Sequence, residues 1–538
     1  MPCRLPNISS AQETSEQRQS PPEVLAKVFA ATLQGLNAVP VTIEVEAHQA
    51  STQCRFVIVG LPDNAVRESS ERVTAALRAY NYYMSMRSIV VNLAPADLRK
   101  EGSGLDLPIA LGVLIANGSI LPDKSRRIMV LGELGLGGEV LPIKGALPVA
   151  IMARKEKYDA LLVPAANARE AAVVNNLPVY GVETLQDVID IYKGNTHLQP
   201  VEVNTREEFY ASQFSYSNDF ADVKGQENVK RALEVAAAGG HNILLIGSPG
   251  CGKSMMAKRL PSILPPLTLK ESLETTQIHS VAGKLQRNDT LISQRPFRAP
   301  HHTVSDVALV GGGSTFMPGE ICLAHNGVLF LDELPEFSRN VLETLRQPLE
   351  DRLITISRAK YTFTLPCSFM LVASMNPCPC GNLHHPTRKC ICTPQQVQRY
   401  MSRISGPLLD RIDLQVEVQS VPFNELSTAP RGESSAEIRS RVIAARKVQE
   451  ERFASLPDIH CNAQMTPSLM QQHAPLDEAC VSRLRNAMKA FNLSARAYDR
   501  IVKVARTIAD LEGSEAIRQQ HISEAIGYRN LDRESWID

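Results

Sequence analysis

The sequence predicts a multidomain α/β protein with a P-loop nucleotide-binding core. Its 538 residues exceed the size of one domain, and 44% of them are hydrophobic, which is enough for several buried cores. The stretch "ILLIGSPGCGKS" carries an apolar strand into a glycine-rich loop that ends in Lys-Ser, as P-loops do. After about residue 430 the apolar pattern becomes helical.

Composition and charge narrow the class of protein. Charged residues make up 21% of the chain and the formal net charge is zero, which argues against a disordered chain and against global attraction to nucleic acid. Any DNA or RNA contact therefore requires a local basic surface. No apolar run reaches the roughly 18 residues of a membrane span, and the polar residues 1–24 lack the apolar segment of a secretory signal. We expect a cytoplasmic protein with a disordered leader over residues 1–24, whose eleven cysteines are thiols or metal ligands.

Residues 25–193 predict an α/β or α+β domain. Short β-branched runs such as "VTIEVEA", "FVIVGLP" and "SIVVNLAP" are bounded by Gly, Pro or Asn, as strands are. Between them, "NAVRESSERVTAALRAY" places Val66, Val73 and Leu77 at helical spacing. Residues 194–219 are polar and irregular, and we interpret them as a linker.

A second α/β region extends over residues 220–420 and contains the P-loop. Residues 421–538 predict helices, because Ser434 and Glu437 have the spacing of a capping box and later apolar residues recur with helical periodicity. The chain is therefore divided into a leader, an N-terminal domain, a linker, a nucleotide-binding core and a C-terminal helical domain.

The strongest chemical signal is the P-loop itself. It consists of Gly247, Ser248, Pro249, Gly250, Cys251, Gly252, Lys253 and Ser254. The glycines let the backbone wrap around phosphates, so that successive N–H groups and a helix N-terminus face the anionic oxygens. Lys253 is expected to reach the β- and γ-phosphates of ATP, and Ser254 is expected to ligate Mg²⁺.

Later polar residues at strand ends suit ATP hydrolysis. "GVLFLDELPEF" ends an apolar run with Asp332, expected to bind Mg²⁺, and Glu333, expected to polarise the attacking water. "SFMLVASMNP" ends at Asn376, which either orients that water or only begins a turn before proline. In "SGPLLDRIDLQVEV", Arg411 lies between two aspartates, so it forms a surface ion pair or, in a ring-shaped ATPase, reaches a neighbour's γ-phosphate. Spacing does not choose between these roles.

Four cysteines form a candidate metal site. They follow the pattern C-x-C, nine residues, C-x-C, and are Cys378, Cys380, Cys390 and Cys392. Four thiolates close a tetrahedral site around Zn²⁺, although C-x-x-C is the commoner spacing. The alternative is a set of free thiols in a loop stiffened by proline. His384 and His385 are further candidate ligands, and a catalytic metal is not expected here.

These motifs together resemble one family. "GSPGCGKS", "FRAPHHTVSDVALVGGG", "GVLFLDELPEF", "ASMNPCPCG" and "SGPLLDRID" are similar to motifs of the magnesium-chelatase-like AAA+ ATPases, more narrowly of their ComM/YifB branch. "VNLAPADLRKEGSGLDLPIALG" resembles that branch's N-terminal domain, and "LSARAYDRIVKVARTIADLEG" its C-terminal domain. The resemblance implies an AAA+ core with a C-terminal helical lid, assembled into a homo-oligomeric ring that is expected to be a hexamer.

The resemblance also implies a role for each site residue. Lys253 and Ser254 match Walker A, Asp332 and Glu333 match Walker B, Asn376 matches sensor 1, and Arg411 matches the arginine finger. Arg496 matches the sensor-2 arginine, which contacts the γ-phosphate and couples its loss to lid movement. Arg500, one turn later, competes for this assignment.

The stretch from about Arg295 to Glu320 matches an insert that this clade carries before Walker B. It contains Arg298, His301, His302 and the flexible turn Gly311-Gly312-Gly313. Such inserts project toward the ring pore, so the resemblance implies an element that grips a polymer. The alternative is a solvated β-hairpin.

The N-terminal domain resembles the fold shared by Lon-type proteases and a ribosomal protein S5 domain. Lon-type proteases use a Ser–Lys dyad. Here Gly104 occupies the serine position, with Ser103 beside it, and Pro148 occupies the lysine position, with Lys144 earlier. Protease activity is therefore not expected. The domain is expected to bind a protein partner or nucleic acid, or to help assemble the ring.

Two functions remain open. In the first, ATP hydrolysis drives the ring along DNA, as in a helicase or branch-migration motor, and the resembled branch is implicated in processing incoming DNA during natural transformation. In the second, the ring remodels a protein partner, as the chelatase subunit does. The fused N-terminal domain separates this chain from that subunit and favours DNA. The basic residues of the predicted helix over residues 436–452 are phosphate contacts or an ordinary solvated face: Arg439, Arg441, Arg446, Lys447 and Arg452.

Overall fold

The computed structural model describes most of the chain. The described residues are 25–49, 54–83, 87–121, 126–195, 197–286, 289–313, 316–358, 361–383, 385, 388–420, 431–456, 459–491 and 493–529. The predicted leader over residues 1–24 lies outside them, and so does His384. No helix in this described part is long and apolar enough to cross a membrane.

The N-terminal region is built on a seven-stranded mixed sheet. The strands of this region are β1 (Ala26–Gln34), β2 (Asn37–Gln49), β3 (Phe56–Val59), β4 (Arg87–Ala94), β5 (Ile128–Val130), β6 (Glu133–Leu134), β7 (Val140–Leu141), β8 (Ala160–Pro164) and β9 (Val179–Val182). The order across the sheet is β3-β4-β2-β1-β5-β8-β9, while β6 and β7 pair with each other. β2 is antiparallel to both β1 and β4, and the other neighbours in the sheet are parallel.

Helices pack on this sheet and connect it to the rest of the chain. They are α1 (Asn64–Arg67), α2 (Ser69–Ala79), α3 (Asp106–Ala116), α4 (Ala146–Lys155), α5 (Ala165–Ala172) and α6 (Leu185–Lys193). α3 is buried along its whole length, as its almost wholly apolar sequence requires. The stretch predicted to be an irregular linker contains α7 (Thr205–Ser212), capped by Asn204. Because Phe209 is buried, a packed helix connects the two regions.

The second region contains a five-stranded sheet in which all strands are parallel. The strands here are β10 (Ile243–Gly247), β11 (Phe297–Arg298), β12 (Val328–Leu331), β13 (Leu353–Arg358), β14 (Tyr361–Pro366), β15 (Met370–Met375) and β16 (Leu414–Val418). The sheet has the order β11-β12-β15-β10-β16, and β13 and β14 form a separate antiparallel hairpin. Parallel strands bring their carboxyl ends to one edge, so the loops after β10, β12 and β15 meet there.

The remaining helices surround this sheet. They are α8 (Glu227–Gly239), α9 (Lys253–Arg259), α10 (Leu269–Val281), α11 (Asp306–Val310), α12 (Glu320–Leu323), α13 (Arg339–Thr344), α14 (Arg346–Asp351), α15 (Pro394–Met401), α16 (Gly406–Leu409), α17 (Ser435–Arg452), α18 (Pro467–His473), α19 (Glu478–Ala490), α20 (Ala495–Leu511) and α21 (Gln519–Gly527). The capping box predicted at Ser434 and Glu437 begins α17. The apolar faces of the C-terminal helices share one hydrophobic cluster with α8 and one face of the sheet. The helical region is therefore docked firmly on the core.

Candidate nucleotide-binding site

The P-loop joins β10 to α9 at the carboxyl edge of the five-stranded sheet. Gly247 has no room for a side chain, because a Cβ atom there would lie 2.3 Å from the carbonyl oxygen of Val418. Gly252 precedes α9 with a φ of +96°, a conformation that favours glycine. Close approach at one position and the turn at the other explain why the loop needs these glycines.

Lys253 is the first residue of α9 and lies against the loop. Its Nζ donates to the carbonyl oxygens of Gly247 (2.6 Å) and Ser248 (3.1 Å) and to Oδ1 of Asn376 (3.2 Å). Burial lowers the pKa of the Lys253 ammonium group. The P-loop is thus in direct contact with the polar residue that ends β15.

Asp332 follows β12 and accepts hydrogen bonds from two hydroxyl groups. Ser254 Oγ donates to its Oδ2 at 2.7 Å, and Ser374 Oγ donates to its Oδ1. Ser374 also accepts the backbone N–H of Glu333, so it ties β12 to β15. The sequence analysis missed Ser374, although its place two residues before Asn376, on the same face of the strand, was an available signal. The oxygen atoms of Ser254 and Asp332 are ligands that Mg²⁺ prefers, so this pair fits the ion.

Glu333 lies beside the predicted insert. Its backbone has a φ of +55°, and more than half of its side chain is exposed. Nδ1 of His302 lies 3.9 Å from Oε2 of Glu333. The ring of His302 also packs against the ring of His301 in a tilted arrangement, with centroids 4.1 Å apart. The insert therefore reaches the residue expected to activate water.

The insert is packed against a second element that the sequence analysis missed. Arg298 makes two hydrogen bonds to the carboxylate of Glu320, at 2.6 and 2.7 Å. Phe316 packs edge-on against Tyr361 and Phe363 of the β13–β14 hairpin, with centroids 5.9 and 4.9 Å away. Insert and hairpin therefore form one unit. The alternating pattern "YTFTLP" was the signal that could have predicted the hairpin.

Arg411 lies at the opposite edge of the sheet. It precedes β16, and its carbonyl oxygen accepts a hydrogen bond of 3.0 Å from Asn242, the residue before β10. The length of β10, five residues, separates this amino edge from the P-loop by about 16 Å. Arg411 is 8% exposed and donates to the carbonyl oxygen of Pro407 and to the carboxylate of Glu350 on α14. Its ionic partner is thus Glu350 instead of a flanking aspartate.

Arg496, the sensor-2 candidate, also lies at the amino edge of the sheet. Its Nη1 is 3.1 Å from Oδ2 of Asp410, the residue before the arginine-finger candidate. Arg500 pairs with the buried Asp413 at 2.9 Å. This position follows from the packing of α20 against α8 and from the contact of Arg500 with Asp413, which precedes β16. Spacing in the sequence does not reveal that packing.

The four cysteines converge in the loop after Asn376. Their Sγ atoms all lie within 4.8 Å of one another, so the loop brings its two C-x-C pairs together. Three of the Sγ–Sγ distances are 3.4, 3.7 and 3.6 Å, far longer than a disulfide bond of about 2.05 Å. Cys378 is buried, and the other three cysteines are partly exposed. Among the described residues, the group of candidate metal ligands consists of these four cysteines, with no histidine or carboxylate.

Three of the residues compared with a Lon-type dyad, Ser103, Gly104 and Lys144, line a cavity of about 530 Å³ between the N-terminal region and the insert. Ser103 Oγ donates to the carboxylate of Glu133. Nζ of Lys144 instead contacts Sδ of Met317 at 3.8 Å. The serine hydroxyl and the lysine ammonium group therefore have different partners.

Four of the five basic residues named for α17, which are Arg439, Arg441, Arg446 and Arg452, are engaged within the chain. Arg441 pairs with the buried Glu234, and Arg452 pairs with Asp510 at 2.6 Å. Arg439 donates to a backbone carbonyl of the core at 2.8 Å. These contacts favour a packed helix over a surface for phosphates.

Comparisons with known proteins agree with this geometry. Three family models match the chain, described as subunit ChlI of Mg-chelatase (residues 43–167), magnesium chelatase subunit ChlI (219–426) and its C-terminal part (432–529). The competence protein ComM of Haemophilus influenzae is 43% identical over 512 residues, which cover 95% of this chain and 98% of that protein. YifB of Escherichia coli is 42% identical over 505 residues, or 93% of this chain and 96% of YifB. The magnesium-chelatase 38 kDa subunit of Cereibacter sphaeroides is 22% identical over 327 residues, covering 56% of this chain and 88% of that subunit.

Proposed function

Because the chain belongs to the magnesium-chelatase-like AAA+ ATPases, in the ComM/YifB branch, we propose that it is a ring-forming ATPase that couples ATP hydrolysis to DNA remodelling. The observation that carries the ATPase part is the meeting of three motifs from three strands. Lys253 contacts Asn376, and Ser254 contacts Asp332. The name of the competence protein ComM favours DNA as the substrate, in helicase or branch-migration work during natural transformation or recombination.

Each residue at the carboxyl edge has a task in hydrolysis. Lys253 offsets the charge of the β- and γ-phosphates, and the P-loop N–H groups hold their oxygens. Ser254 and Asp332 would hold Mg²⁺, which would withdraw negative charge from the phosphates. Glu333 accepts the proton of the attacking water, and Asn376 orients that water. The contacts that bring these five residues together at the carboxyl edge support these roles.

A ring supplies what one chain lacks. Arg411 and Arg496 lie at the amino edge, about one strand length from their own P-loop, so the γ-phosphate that they contact belongs to a neighbouring subunit. Head-to-tail assembly brings the amino edge of one subunit against the carboxyl edge of the next and closes into a ring, which we propose to be a hexamer. Glu350 competes with that phosphate for Arg411.

The remaining regions are assigned by the same proposal. Residues 25–193 form an S5/Lon-like domain without protease activity, joined through residues 194–219 to the AAA+ core at 220–420 and the helical lid at 421–538. The insert and the β13–β14 hairpin contact DNA in the pore. The contact between His302 and Glu333 supports this role, because it offers a route from DNA gripping to hydrolysis. The N-terminal domain binds a partner or helps assemble the ring in the cytoplasm.

ATP turnover of the full-length protein tests the proposal. We expect single-stranded and forked DNA to raise turnover, with an effect that weakens as salt increases. Lys253→Ala should lower turnover about a hundredfold or more, whereas Lys258→Ala, exposed on the same helix, should leave it unchanged. Glu333→Gln should bind ATP without hydrolysing it, and the exposed Glu336→Gln serves as its control.

The outcome also separates DNA from a protein substrate. If DNA neither binds nor raises turnover at any salt concentration, while Glu333→Gln still retains ATP, the DNA proposal fails and the ATPase proposal stands. The chain then remodels a protein partner, the function favoured by its likeness to the 38 kDa chelatase subunit. Unwinding of forked DNA that Lys253→Ala abolishes supports the motor.

The cysteine cluster completes the proposal with a structural zinc ion. Four converging cysteine sulfur atoms are typical of structural Zn²⁺ sites, in which protein ligands fill all four coordination positions. Protein purified without chelator should contain about one zinc per chain. A content far below this value identifies the cysteines as free thiols.

A further inference from the structure

The cysteine loop rests directly on the P-loop. Gly381, between Cys380 and Cys390, has a φ of +76°, and a Cβ atom there would lie 2.5 Å from Cδ of Pro249. The N–H of Gly381 donates to the carbonyl oxygen of Cys378 at 2.9 Å, which closes the turn that carries it. This turn is therefore packed against the middle of the P-loop with no space for a further atom.

Two more contacts connect the same loop to the nucleotide site. It begins at Asn376, whose Oδ1 accepts the hydrogen bond from Lys253. Farther along, Leu383 and His385 line a cavity of about 170 Å³ together with the first residues of the P-loop. The loop thus faces the P-loop at its start, at its turn and beyond it.

The sulfur positions suit a metal ion that joins both ends of the loop. Tetrahedral Zn–S bonds of about 2.3 Å place sulfur atoms about 3.8 Å apart, close to the 3.4, 3.7 and 3.6 Å observed. One C-x-C pair lies on each side of the turn at Gly381. A metal ion bound by both C-x-C pairs would hold this turn in place. Without the metal, only packing against the P-loop would hold it.

We propose that a metal bound by the four cysteines clamps Gly381 against Pro249 and thereby sets the affinity of the P-loop for ATP. This inference rests on the proposed zinc site and ATPase activity. A P-loop binds phosphates through N–H groups that converge on the anion. A loop that must become ordered on binding binds more weakly than one that is already held, so the metal acts on ATP without touching it.

Removal and return of the metal test the clamp in the full-length protein. ATP affinity is measured by calorimetry with Mg²⁺ present, and zinc content is measured on the same samples. Releasing the metal with a thiol-binding mercurial and EDTA, followed by reduction, should weaken ATP binding about tenfold, and added Zn²⁺ should restore it. Unchanged affinity after a measured loss of zinc overturns the proposal.

A matched pair of glycine variants tests the contact itself. Gly381→Ala and Gly118→Ala both place a methyl group at a positive φ, of +76° and +75°, but the added atom meets Pro249 only in the first. Gly381→Ala should keep its zinc and bind ATP about tenfold more weakly, while Gly118→Ala should bind as the unaltered protein does. Adding Pro249→Ala to Gly381→Ala should recover part of the affinity, because it removes the clash.

The outcomes separate this inference from those on which it rests. Gly381→Ala that retains both zinc and full ATP affinity overturns the clamp alone. Protein that neither contains nor takes up Zn²⁺ overturns the zinc site, and unaltered protein that binds no ATP overturns the proposed ATPase. If Gly381→Ala does not fold, the removal and return of zinc in the unaltered protein still tests the clamp.

Discussion

Arg496 and Arg500 lie one turn apart on α20, yet their surroundings differ. Arg496 is mostly exposed and pairs with the partly exposed Asp410, whereas Arg500 pairs with Asp413, whose side chain is 1% exposed. Burial alone would raise the pKa of Asp413, but the Arg500 charge and the hydrogen bond from His241 outweigh it and lower the pKa below its usual range. Asp413 therefore stays ionised inside the protein and depends on Arg500.

We expect the removal of each arginine to have a different effect on stability and on ATP turnover. Arg500→Ala leaves a buried carboxylate without its main partner and should lower the free energy of unfolding by about 3 kcal/mol. Arg496→Ala removes an exposed pair and should lower it by less than about 1 kcal/mol, while reducing ATP turnover of the ring. Denaturant unfolding and turnover, measured side by side, check both expectations. Equal destabilisation by the two variants would contradict the assignment of Arg500 to the structure and Arg496 to the site.

The same junction should make stability depend on pH through His241. Burial lowers the pKa of His241, although Asp413 accepts its hydrogen bond, and the nearby Arg500 and Lys503 charges lower it further. Below about pH 6.5 His241 becomes protonated in the unfolded chain but stays neutral in the folded protein. The free energy of unfolding therefore falls as the pH falls, by up to about 1.4 kcal/mol per pH unit. His241→Gln should show a shallower decline between pH 7.5 and 5.5.

An exposed histidine provides the control for this pH effect. His301→Gln should keep the slope of the unaltered protein, because His301 is exposed on the insert. Burial also lowers the pKa of His279, so part of the slope should remain in His241→Gln. Identical slopes for the unaltered protein and His241→Gln would show that His241 does not contribute.

At the scale of elements, local sequence patterns predicted the strands whose ends carry the candidate nucleotide-binding residues. β10, β12 and β15 are short buried runs that end in polar motifs, and their parallel pairing brings those motifs together. The β13–β14 hairpin has an alternating strand pattern, but its place in the fold could not be predicted, because its apolar side chains contact residues far away in the sequence. Phe363 packs on Phe316 of the insert and lies against the β1–β2 turn, where a Cβ atom on Gly35 would be 3.1 Å from its ring.

The placement of α20 could not be predicted for a related reason. Its residues Ile501, Val504, Ala505 and Ile508 have the predicted helical spacing and are buried. An apolar stripe shows which side of a helix is buried, but it does not show which edge of a distant sheet the helix meets. The contacts of α20 with α8, and of its arginines with Asp410 and Asp413, decide that Arg496 lies far from its own P-loop.

In the ring that we propose, the parts of one catalytic site lie on two faces of each subunit. Lys253, Ser254, Asp332, Glu333 and Asn376 lie at the carboxyl edge of the sheet. Arg411 and Arg496 lie at the amino edge. A side chain cannot cross the strand length of about 16 Å between these edges, so each complete site of the proposed ring needs two subunits. Hydrolysis in any one subunit then depends on the arrangement of its neighbour.

Mixed rings provide the test of this dependence. Subunits carrying Arg411→Ala lack the finger, and subunits carrying Glu333→Gln lack the base, so each protein alone should have little turnover. In an equal mixture about a quarter of the interfaces should combine an intact base with an intact neighbouring finger, and turnover should recover accordingly. A mixture of Arg411→Ala with the double variant Arg411→Ala/Glu333→Gln contains no intact finger and should stay inactive. Should the first mixture remain as inactive as this control at every mixing ratio, Arg411 does not act across the interface.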